Sequence, residues 1–244
     1  MADREDVKAH ARRLYAKLKT PWPATNRWST HTQANIAELL RAHLVPGMLG
    51  PDNAILNVGS HGNGYGIDQP LHYQTDIVLE PISQLPLACV ADAEALPFKN
   101  GCFGITICVG SVVNYCSAAE VISELARVTQ KGGYLFIEFE TSDSFEFWLT
   151  PEFSRDVTLV KTFYNGDMED LYVYSKRYIE GALLANDFKP VSSTPFHVIT
   201  PLVYRVFRHE QLAARCGLLD RMARKLPALR NFSANVFVVA QKLR

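Results

Sequence analysis

Residues 54–66 read AILNVGSHGNGYG, and the rest of the chain is arranged around them. Ala54 to Val58 is a short apolar run with β-branched Ile55 and Val58. It breaks into a loop carrying Gly59, Gly62, Gly64 and Gly66. A buried strand feeding a glycine-rich turn brings backbone close to a nucleoside-bearing ligand. A Cβ would block that approach, and some positions require positive φ. Glycines also serve ordinary strand exits, so the loop acquires meaning only from the segments downstream of it.

Asp76 to Glu80 (DIVLE) reads as a second strand. It ends in a carboxylate about 20 residues past the first loop glycine, where nucleotide-binding α/β sheets place an acid for both ribose hydroxyls. Ala88 to Ala91 reads as a third strand stopped by Asp92, Ile105 to Val109 as a fourth, and Tyr134 to Phe139 as a fifth. Between the last two, Ala118 to Thr129 places Val121, Ile122, Leu125 and Val128 at helical spacing. Ser117 is its expected N-cap, and Lys131-Gly132-Gly133 is expected to end it and turn the chain into the next strand.

The blocks ILNVGSHGNG, ADAEALPFKNGCFG and ELARVTQKGGYLFIEFE, in that order and spacing, resemble class I S-adenosylmethionine-dependent methyltransferases. The likeness is to the small-molecule branch that includes the quinone-biosynthesis methyltransferases, and it spans roughly Asn53 to Glu140. It implies an α/β fold: a doubly wound, Rossmann-like, seven-stranded sheet, mostly parallel with an antiparallel last strand, helices on both faces and extra N-terminal helices. It also implies S-adenosyl-L-methionine as cofactor. Asn57, Gly59, Ser60, His61 and Gly62 would form the cofactor loop, and Glu80 would take the ribose hydroxyls. The Asp92 side chain and Ala93 backbone would receive the adenine amino group, and Val109, Gly110 and Ser111 would flank the sulfonium. Asn57 stands where the family has an acid, and one extra residue separates Gly59 from Gly62, so weaker or rearranged cofactor contacts are expected.

Equal numbers of basic and acidic residues, 25 each, leave no net field toward nucleic acid or an anionic membrane. The start MADREDVKAH lacks an apolar h-region, and no apolar run reaches the length of a membrane span. A cytoplasmic protein with small-molecule partners is therefore expected, as monomer or homodimer. The five cysteines form no C-x-x-C pair, which favours buried thiols over metal or disulfide. No metal-ligand spacing is evident, so no metal is expected.

Residues 1–50 are expected as a helical lid, with helices over 3–19 and 32–43 separated by TPWPATNRWST. Its Trp22 and Trp28 either line the cleft or pin the segment down. Residues 51–244 would be the catalytic domain, with substrate-wall insertions around 141–172 and 198–233. Asn114, Tyr115, Trp22, Trp148 and Tyr164 are the candidate acceptor-binding residues. Residues 172–186 read as a helix, 188–196 as a strand, 208–225 as a basic amphipathic helical region and 235–241 as the closing strand.

The expected reaction is methyl transfer to oxygen or nitrogen of a small, aromatic or otherwise apolar metabolite, as in secondary-metabolite biosynthesis. Holding nucleophile, methyl and sulfur in line can supply about 7–11 kcal/mol. A carboxylate acceptor needs no base, whereas a phenol sits about three pH units, roughly 4 kcal/mol, from ionisation. His197, at a strand exit, is the first candidate base and Glu140 the second. Three alternatives remain open: a non-methylating reaction on the same cofactor, a binding protein without catalysis, and a dinucleotide-dependent oxidoreductase.

Overall fold

A computed structural model describes residues 4–164, 167–207 and 209–243. The first strand, β1 (Ile55–Val58), is buried along its whole length, as expected of a strand covered on both faces. It pairs in parallel with β2 (His72–Asp76) on one side and β4 (Phe103–Cys108) on the other. With β3 (Ala88–Val90), β5 (Thr129–Glu140), β8 (Phe188–Phe196) and β9 (Asn235–Lys242) they form one sheet in the order β3-β2-β1-β4-β5-β9-β8. β9 runs antiparallel to both its neighbours, so the antiparallel last strand is as expected. A separate hairpin joins β6 (Val157–Tyr164) to β7 (Asp167–Tyr174).

Alternate residues of the strands feed two apolar layers. Leu56, Val58, Leu135, Ile137 and Val238 pack under α3 (Ala118–Val128) and α4 (Lys176–Ala185) through Val121, Ile122, Leu125, Ile179 and Leu183. On the opposite face Ile55, Ile105, Ile107, Phe136 and Phe237 meet Ile36, Leu39, Leu40 and Leu44 of α2 (Arg27–His43) and the residue after it. Thus α2 is a layer on the sheet, while its first turns, with α1 (Arg4–Tyr15) and the connection between them, reach the cavity at the sheet's end. α1 packs on Tyr115, Leu171 and Val173. Four short helices, α5 (Ile199–Phe207), α6 (Glu210–Arg215), α7 (Gly217–Ala223) and α8 (Pro227–Arg230), fill the connection between β8 and β9.

The second strand lies four residues earlier than expected. The ladder pairs Ile55 with His72 and Val58 with Thr75, so the strand closes at Asp76. The apolar run after it is a bend in which Val78 is buried and Leu79 exposed. Residues 172–175 are strand and cap, not helix. Leu171 and Val173 alternate into a core, and the Ser175 side chain accepts from the Tyr178 N–H to start α4. α3 ends at Val128, and Lys131-Gly132-Gly133 lies within β5 beside a register shift. α2 begins at Arg27 because the Asn26 side chain accepts from the N–H groups of Trp28 and Ser29. Residues 59–71 cross from β1 to β2 with no helix. No helix among the described residues is long and apolar enough to cross a membrane.

Candidate functional site

A cavity opens at the carboxyl ends of the parallel strands, where ligands bind in sheets of this kind. Gly59, Ser60 and His61 line it from the loop after β1, Asp76 and Ile77 from β2, and Asp92 and Ala93 from the turn after β3. Val109, Gly110 and Ser111 enter after β4. The sequence-derived cofactor set is therefore largely brought together, with three exceptions.

Glu80 is the main correction. It is exposed at the start of a single 3-10 turn and does not line the cavity. Asp76, at the tip of β2, occupies the place expected of it. Its carboxylate accepts from the N–H groups of His61 (2.8 Å) and Val78 (2.9 Å). Burial raises its pKa, and those two bonds oppose the rise. Each carboxylate oxygen keeps capacity for a further donor. The other two exceptions support the loop from behind. Asn57 is buried and donates to the Asn63 carbonyl at 2.9 Å. Gly62 adopts φ +75, and a Cβ there would sit 2.4 Å from the Pro81 carbonyl oxygen.

His61 is 9% exposed, at the inner wall and not in solvent. It adopts φ 45 and packs edge-on to Tyr15, and its Nδ1 has no hydrogen-bond partner. Asp92 is tied to α1, because Lys8 Nζ donates to its Oδ2 at 2.8 Å and to Glu94 Oε2 at 2.5 Å. The loop after β4 is shaped by Glu138. This carboxylate is fully buried within β5, takes the N–H groups of Gly110 and Ser111 at 2.9 Å each, and receives Asn235 Nδ2 at 2.7 Å. An acid inside the apolar run YLFIEFE was the signal for it in the sequence.

Beyond Ser111 the lining becomes aromatic and acidic. Trp22, Trp28, Tyr15, Tyr115 and Tyr204 contribute rings, and Glu140, Glu146 and Glu169 contribute carboxylates. Glu140 Oε1 accepts from Ser111 Oγ at 2.8 Å, and burial lifts its pKa to about 8. Tyr115 donates to Glu169 Oε2 at 2.9 Å and lies 3.1 Å from the Tyr15 hydroxyl. Burial lifts Glu169 to about 7. Glu169 escaped the sequence reading because its hairpin did.

Several expected acceptor residues lie elsewhere. Asn114 is fully buried and clamps backbone, donating to the carbonyls of Glu140 and Tyr172 and accepting from the Glu140 N–H. Trp148 is 41% exposed and belongs to a cluster with Phe145, Phe153 and Phe232, away from the cavity. The Tyr164 side chain lies outside the described residues. His197 does not line the cavity. It is fully buried behind it, stacked on Trp28 at 4.5 Å, with Nε2 2.8 Å from Thr32 Oγ1 and Nδ1 3.0 Å from Thr200 Oγ1. With His31 and Asp220 it forms a group of metal-ligating type that sequence spacing did not reveal. In that group both His197 nitrogens are engaged by hydroxyls, and Asp220 Oδ1 takes the N–H groups of Val198, Ile199 and Thr200. The cysteines are all unpaired, with Cys108 and Cys116 buried and Cys102 exposed.

A methyltransferase-domain family model matches residues 64–137, which run from the glycine loop through most of β5. Over that span the chain matches a methyltransferase domain. No curated protein matches the chain. Among solved structures, the chain superposes on a protein from Listeria monocytogenes provisionally classed as an S-adenosylmethionine-dependent methyltransferase. That likeness has a TM-score of 0.61 at 10% identity, covering 86% of this chain and 100% of the other. Geranyl diphosphate C-methyltransferase from Streptomyces coelicolor gives 0.59 at 13%, covering 97% and 98%. The 1,6-didemethyltoxoflavin-N1-methyltransferase from Burkholderia thailandensis gives 0.58 at 13%, covering 100% and 92%. At these identities the superpositions establish the fold.

The cavity fits S-adenosylmethionine, the cofactor that a methyltransferase domain implies. Two carboxylates, Asp76 and Asp92, stand at adjacent strand tips, suited to a ribose diol and an adenine amino group. The buried His61 Nδ1 has no partner, on a side chain that lines the same space.

Proposed function

We propose that this methyltransferase transfers a methyl group to oxygen or nitrogen of a small acceptor with an aromatic or apolar body. The observation that carries the reading is the continuity of the cavity. One space runs from Asp76 and Asp92, past Gly110 and Ser111, to the rings of Trp22, Trp28, Tyr115 and Tyr204. Pockets of that make-up, mostly apolar with a few placed polar groups, suit small molecules better than nucleic acid.

We assign Asp76 to the ribose hydroxyls, Asp92 and Ala93 to the adenine, and the 59–61 loop with Gly110 to the amino-acid end. Bound there, S-adenosylmethionine supplies an activated, electrophilic methyl carbon. The chain's part is positional: the aromatic wall holds the acceptor, excludes water and points its nucleophilic atom along the line of displacement. A proton on the acceptor has two receivers at the wall. Glu169, lifted to about 7, is partly ionised near neutrality and can accept one there, whereas Glu140, lifted to about 8, becomes a receiver only at higher pH. His197, walled off behind Trp28, is not assigned a catalytic role.

The comparison structures include a C-methyltransferase and an N-methyltransferase, so the accepting atom is assigned here from the polar wall alone. The test uses cofactor labelled at the methyl group and a library of small acceptors, with products read by mass spectrometry. Label in the product, matched by S-adenosylhomocysteine, is expected. An acceptor converted with no label transferred would replace this reading with a non-methylating reaction.

A further inference from the structure

The acceptor half of the cavity is rich in carboxylates. Among the described residues the acceptor end is lined by the carboxylates Glu140, Glu146 and Glu169 and the cofactor end by Asp76 and Asp92, while the lysine in the lining is Lys8. That lysine is already shared between Asp92 and Glu94. Among the described residues no cationic side chain pairs with Glu140 or Glu169. Their partners are the neutral hydroxyls of Ser111 and Tyr115. Glu138 stands behind Glu140, and both Glu146 and Glu169 add repulsion to it. The cofactor brings one net positive charge, and a second cation beside Glu140 and Glu169 would let both of these carboxyls ionise.

We infer, resting on the methyltransferase reading, that the acceptor is a cationic amine on an aromatic or apolar body, its ammonium held between Glu140 and Glu169. A second feature points the same way. Ser29 Oγ belongs to a cavity-lining residue of 2% exposure and has no hydrogen-bond partner, leaving a lone pair for an N–H donor. The rings of Tyr15, Tyr115, Trp22, Trp28 and Tyr204 suit the same guest, since a ring face attracts a cation. Stacking on His197 fixes Trp28 in the wall. An anionic acceptor would be repelled by Glu140 and Glu169 when they ionise, and a neutral one would leave both carboxyls favouring their protonated form, with no ion pair gained on binding.

The test is calorimetric titration of the chain saturated with S-adenosylhomocysteine. The probes are two matched sets: tryptamine, tryptophol and indole-3-propionate; and phenethylamine, 2-phenylethanol and 3-phenylpropionate. The amines are expected to bind roughly tenfold or more tighter than the alcohols, with the carboxylates weakest. In the double variant Glu140→Gln with Glu169→Gln that preference is expected to fall below about threefold while S-adenosylhomocysteine affinity holds. Equal or tighter binding of the alcohols or carboxylates, or no binding by either amine, overturns the inference, as does a preference that survives in the double variant. The wild-type series decides alone if the variant does not fold. Failure of S-adenosylhomocysteine itself to bind would instead strike the methyltransferase reading.

Discussion

Glu140 has Glu138, Glu146 and Glu169 as charged neighbours, and burial lifts its pKa from 4.5 to about 8. The folded state therefore holds a proton that the unfolded chain releases above its ordinary value. The stability this contributes is complete below about pH 4.5 and is lost as the pH rises through about 8. Glu169, lifted to about 7, adds the same sign over a narrower window. Thermal denaturation should lose several degrees between about pH 5 and about pH 8, and Glu140→Gln should flatten that fall. An unchanged fall in the variant would place the titration elsewhere. At this scale the sequence was legible in kind but not always in position. An acid closing the second strand was expected, yet it is Asp76 and not Glu80. Single residues such as His197 and Asn114 carry no mark in the sequence to tell an inward clamp from a cavity wall.

The elements most nearly legible were those whose apolar period is unbroken. β1, β4 and α3 lie close to where their side-chain pattern puts them. β2 was misplaced because its ladder runs through HYQTD, a polar-looking stretch held by main-chain bonds to two neighbours. The β6–β7 hairpin was missed although Asn165-Gly166, a strong hairpin-turn pair, stands between VTLVKTFY and DMEDLYVY, because the aromatic residues before it were read as a pocket wall and those after it as a helix. The glycines of the 59–66 loop are separable by experiment. At Gly62 the positive φ combines with a backbone oxygen 2.4 Å from an added Cβ, whereas Gly66 has φ +71 with nothing within 4 Å. Gly62→Ala should cost about 3 kcal/mol and Gly66→Ala about 1 kcal/mol, read from urea midpoints. Equal losses would mean that the close approach to Pro81 does not shape the loop.

For the molecule as a whole, strand order and the position of the cleft follow from the parallel run β3-β2-β1-β4-β5 closed by antiparallel β9. That arrangement was readable from the order of strand-like blocks together with the family resemblance. The departures are physical as well. With no helix between β1 and β2, α2 covers that face of the sheet, and α1 is tied across the cavity's edge by Lys8 on Asp92 and Glu94. The account stands on an adenosine lying across the tips of β1, β2 and β3. A crystal structure of the chain with S-adenosylhomocysteine tests this most directly. It should show the ribose hydroxyls on the Asp76 carboxylate and the adenine beside Asp92 and Ala93. A nucleoside bound outside this cleft, or a ribose held by Glu80 with Asp76 turned away, would contradict it.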